Sequence, residues 1–165
     1  MFGRLCRIET TLRAETLERL AGASMLVERR IRPDGRYEGW NGREVLCHLA
    51  AYARLIGAAL RGVAEDRTPT ETELYGRSLT ADERRVADLD DVNAAVQREY
   101  AGLSYEEALA FWRRMDANVA AQIARLSEGQ LAAPGPAVPP HWTKPHLVDI
   151  VTALIGHYEG HMAEA

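Results

Sequence analysis

Apolar residues recur at helical spacing along almost the whole chain, and the two-residue alternation typical of strands is nearly absent. This pattern predicts four long helices, at about 7–31, 41–64, 105–126 and from 143 to the C-terminus, and a shorter helix at about 90–100. Helices of this length with one apolar face predict an all-α protein built as a four-helix bundle. The inward candidates on the first helix are Leu12, Leu17, Leu20, Met25 and Val27.

Two capping-box sequences mark the starts of the second and third long helices. Asn41 precedes Glu44, and Ser104 precedes Glu107, by three residues in each case. In such a pair the first side chain accepts a hydrogen bond from the backbone of the second residue, whose carboxylate accepts one in return. Near the last helix, Pro145 suits a first helical turn, because backbone N–H groups in that turn have no partner within the helix and proline has no N–H to leave unpaired.

The helical pattern fails between residues 65 and 89, a stretch that contains Pro69 and several Thr and Glu residues. It predicts a long crossover connection, with room for short helical pieces, between the second and third long helices. A Pro- and Ala-rich segment at 132–140 predicts a second loop. Because no repeat, linker or block of charge divides the 165 residues, we expect one domain spanning 1–165.

Composition and charge exclude several classes of protein. The chain has 20 Lys and Arg against 24 Asp and Glu, a formal net charge of -4, which argues against nucleic acid as a partner. No stretch approaches the roughly 20 apolar residues of a membrane span, so no membrane association is expected. Two cysteines, Cys6 and Cys47, are too few for a disulfide framework, and together with the lack of a signal peptide they favour a cytoplasmic location.

The last helix carries two histidines, His157 and His161, at a spacing that lets both imidazoles reach one metal ion. At about 100° per residue they continue the stripe of Ile150 and Leu154, so they are expected to face the bundle interior. A shared metal would satisfy two buried imidazoles that are otherwise costly. The alternative is that they are partly buried residues near a fraying C-terminus.

A third histidine, His48, lies within the second helix on the face of Glu44 and Tyr52. Three imidazoles with open coordination positions are typical of a catalytic metal site. Glu44 is either a further ligand or contact of that site, or only the partner of Asn41 in the capping box. The aromatic residues are expected to be packing residues, but a pocket at the histidines would have Tyr52 and Trp112 as its first wall candidates, with Tyr158 beside them.

Other reactive residues fit a site less well. The zinc-protease pattern is excluded because Tyr158 stands where its glutamate would follow the first histidine, and Glu159 lies about 200° around the helix. His146 is roughly 16 Å from His157 along the helix, too far to share a metal, and His141 is expected in the preceding loop. Cys47 is interpreted as a small core residue.

The chain resembles the DinB-like four-helix proteins over essentially its whole length. The segment Trp40-Asn-Gly-Arg-Glu-Val-Leu-Cys-His48-Leu resembles the opening of their second helix, and His157-Tyr-Glu-Gly-His161 resembles their C-terminal HxxxH. Asp90-Asp-Val-Asn93-Ala resembles the D-x-x-N-A region of two branches, the mycothiol-dependent maleylpyruvate isomerase-like and the colibactin self-protection proteins. The ending differs from the H-Y-x-E-H sequence that is common in these branches.

The resemblance implies that His48, His157 and His161 bind a divalent metal, zinc or nickel, in a pocket at one end of the bundle. It implies an enzyme that activates a bound thiol or water against a small electrophile, by thiol transfer, isomerisation or hydrolysis, with a low-molecular-weight thiol as cosubstrate. A non-catalytic protein that binds or sequesters a small molecule on the same fold is the alternative. Many relatives are dimers, so the resemblance also implies a homodimer.

Overall fold

Four long helices make up most of the protein, whose computed structural model describes residues 11–81, 89–135 and 146–163. The predicted all-α fold is confirmed. The predicted helix starts near residues 7 and 143 lie outside the described residues. The helices are α1 (Leu12–Arg30), α2 (Gly42–Ala64), α3 (Glu71–Tyr75), α4 (Leu89–Glu99), α5 (Tyr105–Arg125), α6 (Glu128–Ala132) and α7 (Leu147–Ala163), and a short hairpin has strands β1 (Arg36–Tyr37) and β2 (Trp40–Asn41).

The long helices form a closed ring of contacts in which α2 packs on α5 and α7, and α1 packs on α7 and α5. Helices α2 and α5 run in the same direction. Gly42, at the start of α2, lies against Tyr105 at the start of α5, and Gly57 lies against Asn118 further along. Because α2 and α5 are consecutive long helices that run in the same direction, the chain between them must return along the length of the bundle. That length is roughly 35 Å for a helix of this size. The predicted crossover between them is confirmed, and it carries α3 and α4.

Helix α7 runs antiparallel to α2, because His48 near the start of α2 meets His157 near the end of α7. At the same end of the bundle the Arg30 guanidinium, on the last residue of α1, donates to the carbonyl of Met162. This end of the bundle therefore gathers the last turns of α1 and α7 and the first turns of α2 and α5.

Both predicted capping boxes are present. The Asn41 side chain accepts from the backbone of Glu44 while the Glu44 carboxylate accepts from the backbone of Asn41, and Ser104 and Glu107 make the same exchange. Since each box satisfies backbone groups that the helix leaves unpaired, it fixes where the helix starts.

The hairpin between α1 and α2 was not predicted. Its register pairs Tyr37 with Trp40, and both residues of its tight turn have positive φ, 51° at Glu38 and 90° at Gly39, as a type I′ turn requires. The Tyr37 hydroxyl donates to the Arg30 carbonyl and accepts from the Arg32 N–H, which ties the hairpin to the end of α1. Strands of two residues are too short to show an alternating pattern, so periodicity could not reveal them.

One inward assignment is wrong. Met25 is 53% exposed, whereas Leu20, Ala23 and Val27 of the same helix are buried. Met25 lies two residues from both Ala23 and Val27, about 200° around the helix, so it points away from the stripe that these residues define. Among the residues that the structure describes, no helix combines the length and the apolar character needed to cross a bilayer.

We predict that Gly42→Ala destabilises the protein by about 2 kcal/mol. A Cβ at Gly42 would overlap the carbonyl oxygen of Arg32, which is a backbone atom and cannot move away as a flexible side chain can. Gly22→Ala is the matched control: a Cβ there meets nothing within 4 Å, and alanine in an exposed helix should stabilise by about 0.5–1 kcal/mol. Urea unfolding of the two variants checks this. Equal midpoints for both variants would contradict the close approach.

Candidate metal centre

Three histidines from two helices meet at the end of the bundle described above. His48 lies in the second turn of α2, and His157 and His161 lie in the last two turns of α7. One ring nitrogen from each lies within 4.8 Å of the others. The closest approach is 2.7 Å, between Nε2 of His48 and Nε2 of His157. The side chains that the sequence singled out as metal ligands are therefore gathered around one point.

Burial keeps two of these imidazoles, His48 and His157, uncharged. His48 and His161 are only 3% and 8% exposed, and His157 is half-buried. Burial, with repulsion from His157 and His161, lowers the pKa of His48 to about 2, and burial with repulsion from His161 lowers the pKa of His157 to about 4. At neutral pH both rings are therefore neutral and each keeps a lone pair, the form in which histidine binds a metal.

The donor set fits a divalent transition metal. Tetrahedral zinc with Zn–N bonds of about 2.0–2.1 Å holds its ligand nitrogens roughly 3.3 Å apart. The two Nε2 atoms at 2.7 Å need to separate by only about 0.6 Å to reach that spacing. Imidazole nitrogens suit zinc, nickel, copper and iron, and three of them leave at least one coordination position for another molecule.

Two aromatic rings enclose the histidines. Trp40, from the hairpin, stands edge-on to His48 with ring centroids 4.8 Å apart and lies nearly parallel to His161 at 6.2 Å. Tyr52, one turn beyond His48, contacts the rings of His48 and His157, each at 4.8 Å. The sequence indicated Tyr52 as a wall residue, whereas Trp40 was assigned to packing because nothing placed the hairpin over the site.

Asn93, in α4, lies beside His48. The Asn93 side chain raises the pKa of His48, in the direction opposite to burial, as an acceptor for the ring N–H does. Nδ1 of His48 and Oδ1 of Asn93 are both buried, and neither makes a hydrogen bond of ordinary geometry within the described residues. A proton on Nδ1 would give both atoms a partner and would leave the lone pair on Nε2. Asn93 belongs to the D-x-x-N-A sequence noted above, but no role for it was predicted from that sequence.

Glu38 is the second residue that the sequence did not indicate. It occupies the turn of the hairpin, and its Oε2 lies 3.4 Å from Nδ1 of His161. The only sequence signal is the Glu-Gly pair between two aromatic residues, and that pair is not among the strong hairpin signals, which are Asn-Gly and Asp-Gly.

Three other candidates have different surroundings. Glu44 completes the capping box, accepting from the Asn41 N–H at 2.9 Å. Trp112 and Tyr158 pack against each other at 5.8 Å, and the Tyr158 hydroxyl interacts with Asp116 of α5. Burial raises the pKa of Tyr158 well above its ordinary value, so the hydroxyl stays protonated. This pair fills the space between α5 and α7.

The residues set aside by the sequence also have defined places. Cys47 is fully buried, and burial raises the pKa of its thiol to about 11, so it is neither charged nor accessible at neutral pH. His146 is exposed just before α7, with Nδ1 2.9 Å from the Ala132 carbonyl oxygen. Glu159 is exposed on the outer face of α7. His141 lies outside the described residues.

Comparison with known proteins identifies the family. The family model of the DinB superfamily matches residues 10–165, so the chain belongs to that superfamily. This confirms the resemblance drawn from the sequence. No curated protein and no solved structure matches the chain.

The depressed histidine pKa values predict how stability depends on pH. A histidine in the unfolded chain has a pKa of about 6.5, against about 4 for His157 in the folded protein. Between these values the unfolded state binds more protons, so stability that is present above pH 6.5 is lost as the pH falls. We expect the melting temperature of the metal-free protein to fall from pH 7 to pH 5, and His157→Gln to reduce that fall.

His146→Gln is the control, since it removes an exposed histidine remote from the cluster and should retain the wild-type pH dependence. Thermal unfolding followed by circular dichroism in the presence of a chelator makes the comparison. If the pH dependence of His157→Gln is as steep as that of the wild type, His157 is not held neutral in the folded protein.

Proposed function

We propose that this member of the DinB superfamily is a metal-dependent enzyme in which His48, His157 and His161 hold one divalent ion, zinc or nickel. The observation that carries the proposal is the convergence of three imidazoles, two buried and one half-buried, whose ring nitrogens lie within 4.8 Å of one another. A group of imidazoles at the rim of a bundle, with aromatic walls on two sides, has the composition of a site for a metal and a small molecule.

When bound, the metal would act as a Lewis acid that lowers the pKa of a thiol or a water molecule at its open position. The chain supplies the rest of the site. The histidines would hold the ion, and Trp40 and Tyr52 place apolar ring surface beside His48. Apolar walls of this kind exclude bulk water and favour a small organic electrophile as substrate.

The nucleophile is proposed to come from outside the chain. Cys47 is the cysteine that the structure describes, and its buried thiol has a raised pKa and does not line the histidine cluster. A low-molecular-weight thiol cosubstrate would therefore be the nucleophile in thiol transfer or isomerisation, and water in the same position would be the nucleophile in hydrolysis. The cytoplasmic location and the homodimer implied by the resemblance belong to the same proposal.

Metal analysis tests the first part of the proposal. Protein purified without a histidine tag should contain, or take up on titration, about one equivalent of zinc or nickel per chain. We expect His161→Ala to abolish this binding because it removes one of three ligands. His146→Ala is the matched control and should bind as the wild type does. A wild-type chain that neither contains metal nor takes it up would contradict the proposed metal centre.

A turnover assay separates catalysis from binding. Metal-loaded protein is incubated with a bacterial thiol cofactor, or with water alone, and a panel of small electrophiles, and products are followed by mass spectrometry. Many product molecules per chain, lost in His161→Ala, are expected for the enzyme. Stoichiometric binding without turnover would instead assign the chain to the alternative, a protein that sequesters a reactive small molecule.

A further inference from the structure

We propose that Glu38 is a positioning residue for His161: its carboxylate accepts the N–H at Nδ1 and so presents Nε2 of His161 to the metal. This inference rests on the metal centre proposed above. It adds to that centre a carboxylate supplied by the hairpin, an element separate from the two helices that carry the histidines.

The contact joins a buried nitrogen to a carboxylate at the rim. Oε2 of Glu38 is 3.4 Å from Nδ1 of His161, whose side chain is 9% exposed, while the Glu38 side chain is 53% exposed. The separation is that of an ion-pair contact and is longer than an ordinary N–H···O hydrogen bond, so the proposed role requires the half-exposed Glu38 side chain to approach Nδ1 more closely. A histidine that binds a metal commonly donates its other ring N–H to a carboxylate, which fixes the tautomer and the ring orientation.

The backbone at Glu38 supports a role for this side chain. Its φ of 51° lies in the left-handed region, where a long side chain is uncommon and glycine is free of strain. The type I′ turn needs positive φ at this position, and Asn, Asp or Gly would meet that need with less strain. A glutamate at this position is therefore explained by what its carboxylate contacts and not by the turn itself.

The neighbouring residues hold Glu38 in place. On one side, the Tyr37 hydroxyl joins the Arg30 carbonyl and the Arg32 N–H at the end of α1. On the other side, the Trp40 ring lies against His161 and His48. Because both flanking residues are anchored, the turn presents Glu38 at a defined distance from His161. The hairpin is thus a rigid support for the carboxylate.

The consequence for metal binding follows from the tautomer. With the proton held on Nδ1, the lone pair of His161 lies on Nε2, and the carboxylate makes that nitrogen a better donor. His48 has the same arrangement, with Asn93 facing its Nδ1. Two of the three ligands therefore each have an acceptor behind them, one an amide and one a carboxylate.

Glu38→Gly separates this role from a structural one. It removes the carboxylate and also relieves the positive φ, so the metal-free protein should melt at the wild-type temperature or above. Its affinity for Zn²⁺, measured on untagged protein by competition with a chromophoric chelator, should fall by about 10–100-fold. Glu38→Gln, which keeps an acceptor without the charge, should give a smaller loss.

Asp66→Gly is the matched control. Asp66 is the other non-glycine residue with positive φ among those the structure describes, at 50°, and it follows α2 at the opposite end of the bundle. The substitution likewise places glycine at a positive φ, although aspartate is less strained there than glutamate, and it should leave Zn²⁺ affinity unchanged. If Glu38→Gly binds zinc as tightly as Asp66→Gly and the wild type, the proposal is overturned.

A measurement without metal keeps the two proposals distinguishable. Nitrogen-15 NMR of the imidazoles in metal-free protein should show His161 protonated at Nδ1 in the wild type and in Asp66→Gly, and a shift toward the Nε2 tautomer in Glu38→Gly. The same tautomer in all three proteins overturns the role of Glu38. If the wild type binds no zinc but the tautomer shift is seen, the Glu38 contact stands and the metal centre fails.

Discussion

Three imidazoles packed side by side are the constraint on which this end of the bundle depends. Burial penalises a proton on His48 and on His157, and repulsion from the neighbouring imidazoles also keeps these two rings uncharged. Rings in that state must share protons with one another or give their lone pairs to a cation. The antiparallel packing of α2 on α7 creates the cluster, because it sets the second turn of one helix against the last turns of the other.

The residues around the cluster are arranged by elements that contribute no histidine. The hairpin brings Trp40 over two of the rings and Glu38 to the third, and α4 brings Asn93 to His48. Parallel packing of α2 and α5 forces the long crossover, and that crossover contains α4. The parallel packing that requires a long crossover therefore also places the Asn93 side chain beside His48.

The interior behind the cluster is apolar and well packed, which limits the chemistry that the chain can do by itself. Cys47 is held as a protonated thiol, and the Tyr158 hydroxyl is held protonated beside Asp116. Neither group is available as a nucleophile at neutral pH. Three histidines and two aromatic side chains instead surround a single point at one end of the bundle.

The sequence by itself determined the helices, the two capping boxes and the stripe shared by His157 and His161, because helical periodicity fixes the direction in which each side chain leaves its own helix. It also indicated His48 as a third candidate ligand, from its face of the second helix and from the family resemblance. Only the tertiary structure decided what stands beside these three histidines. Tyr158 follows His157 in sequence, but consecutive residues point about 100° apart around a helix. Tyr158 therefore faces α5 and packs against Trp112. Glu38, Trp40 and Asn93 reach the site because the hairpin and α4 pack against α2. The local sequence pattern carries no information about which separate elements pack together.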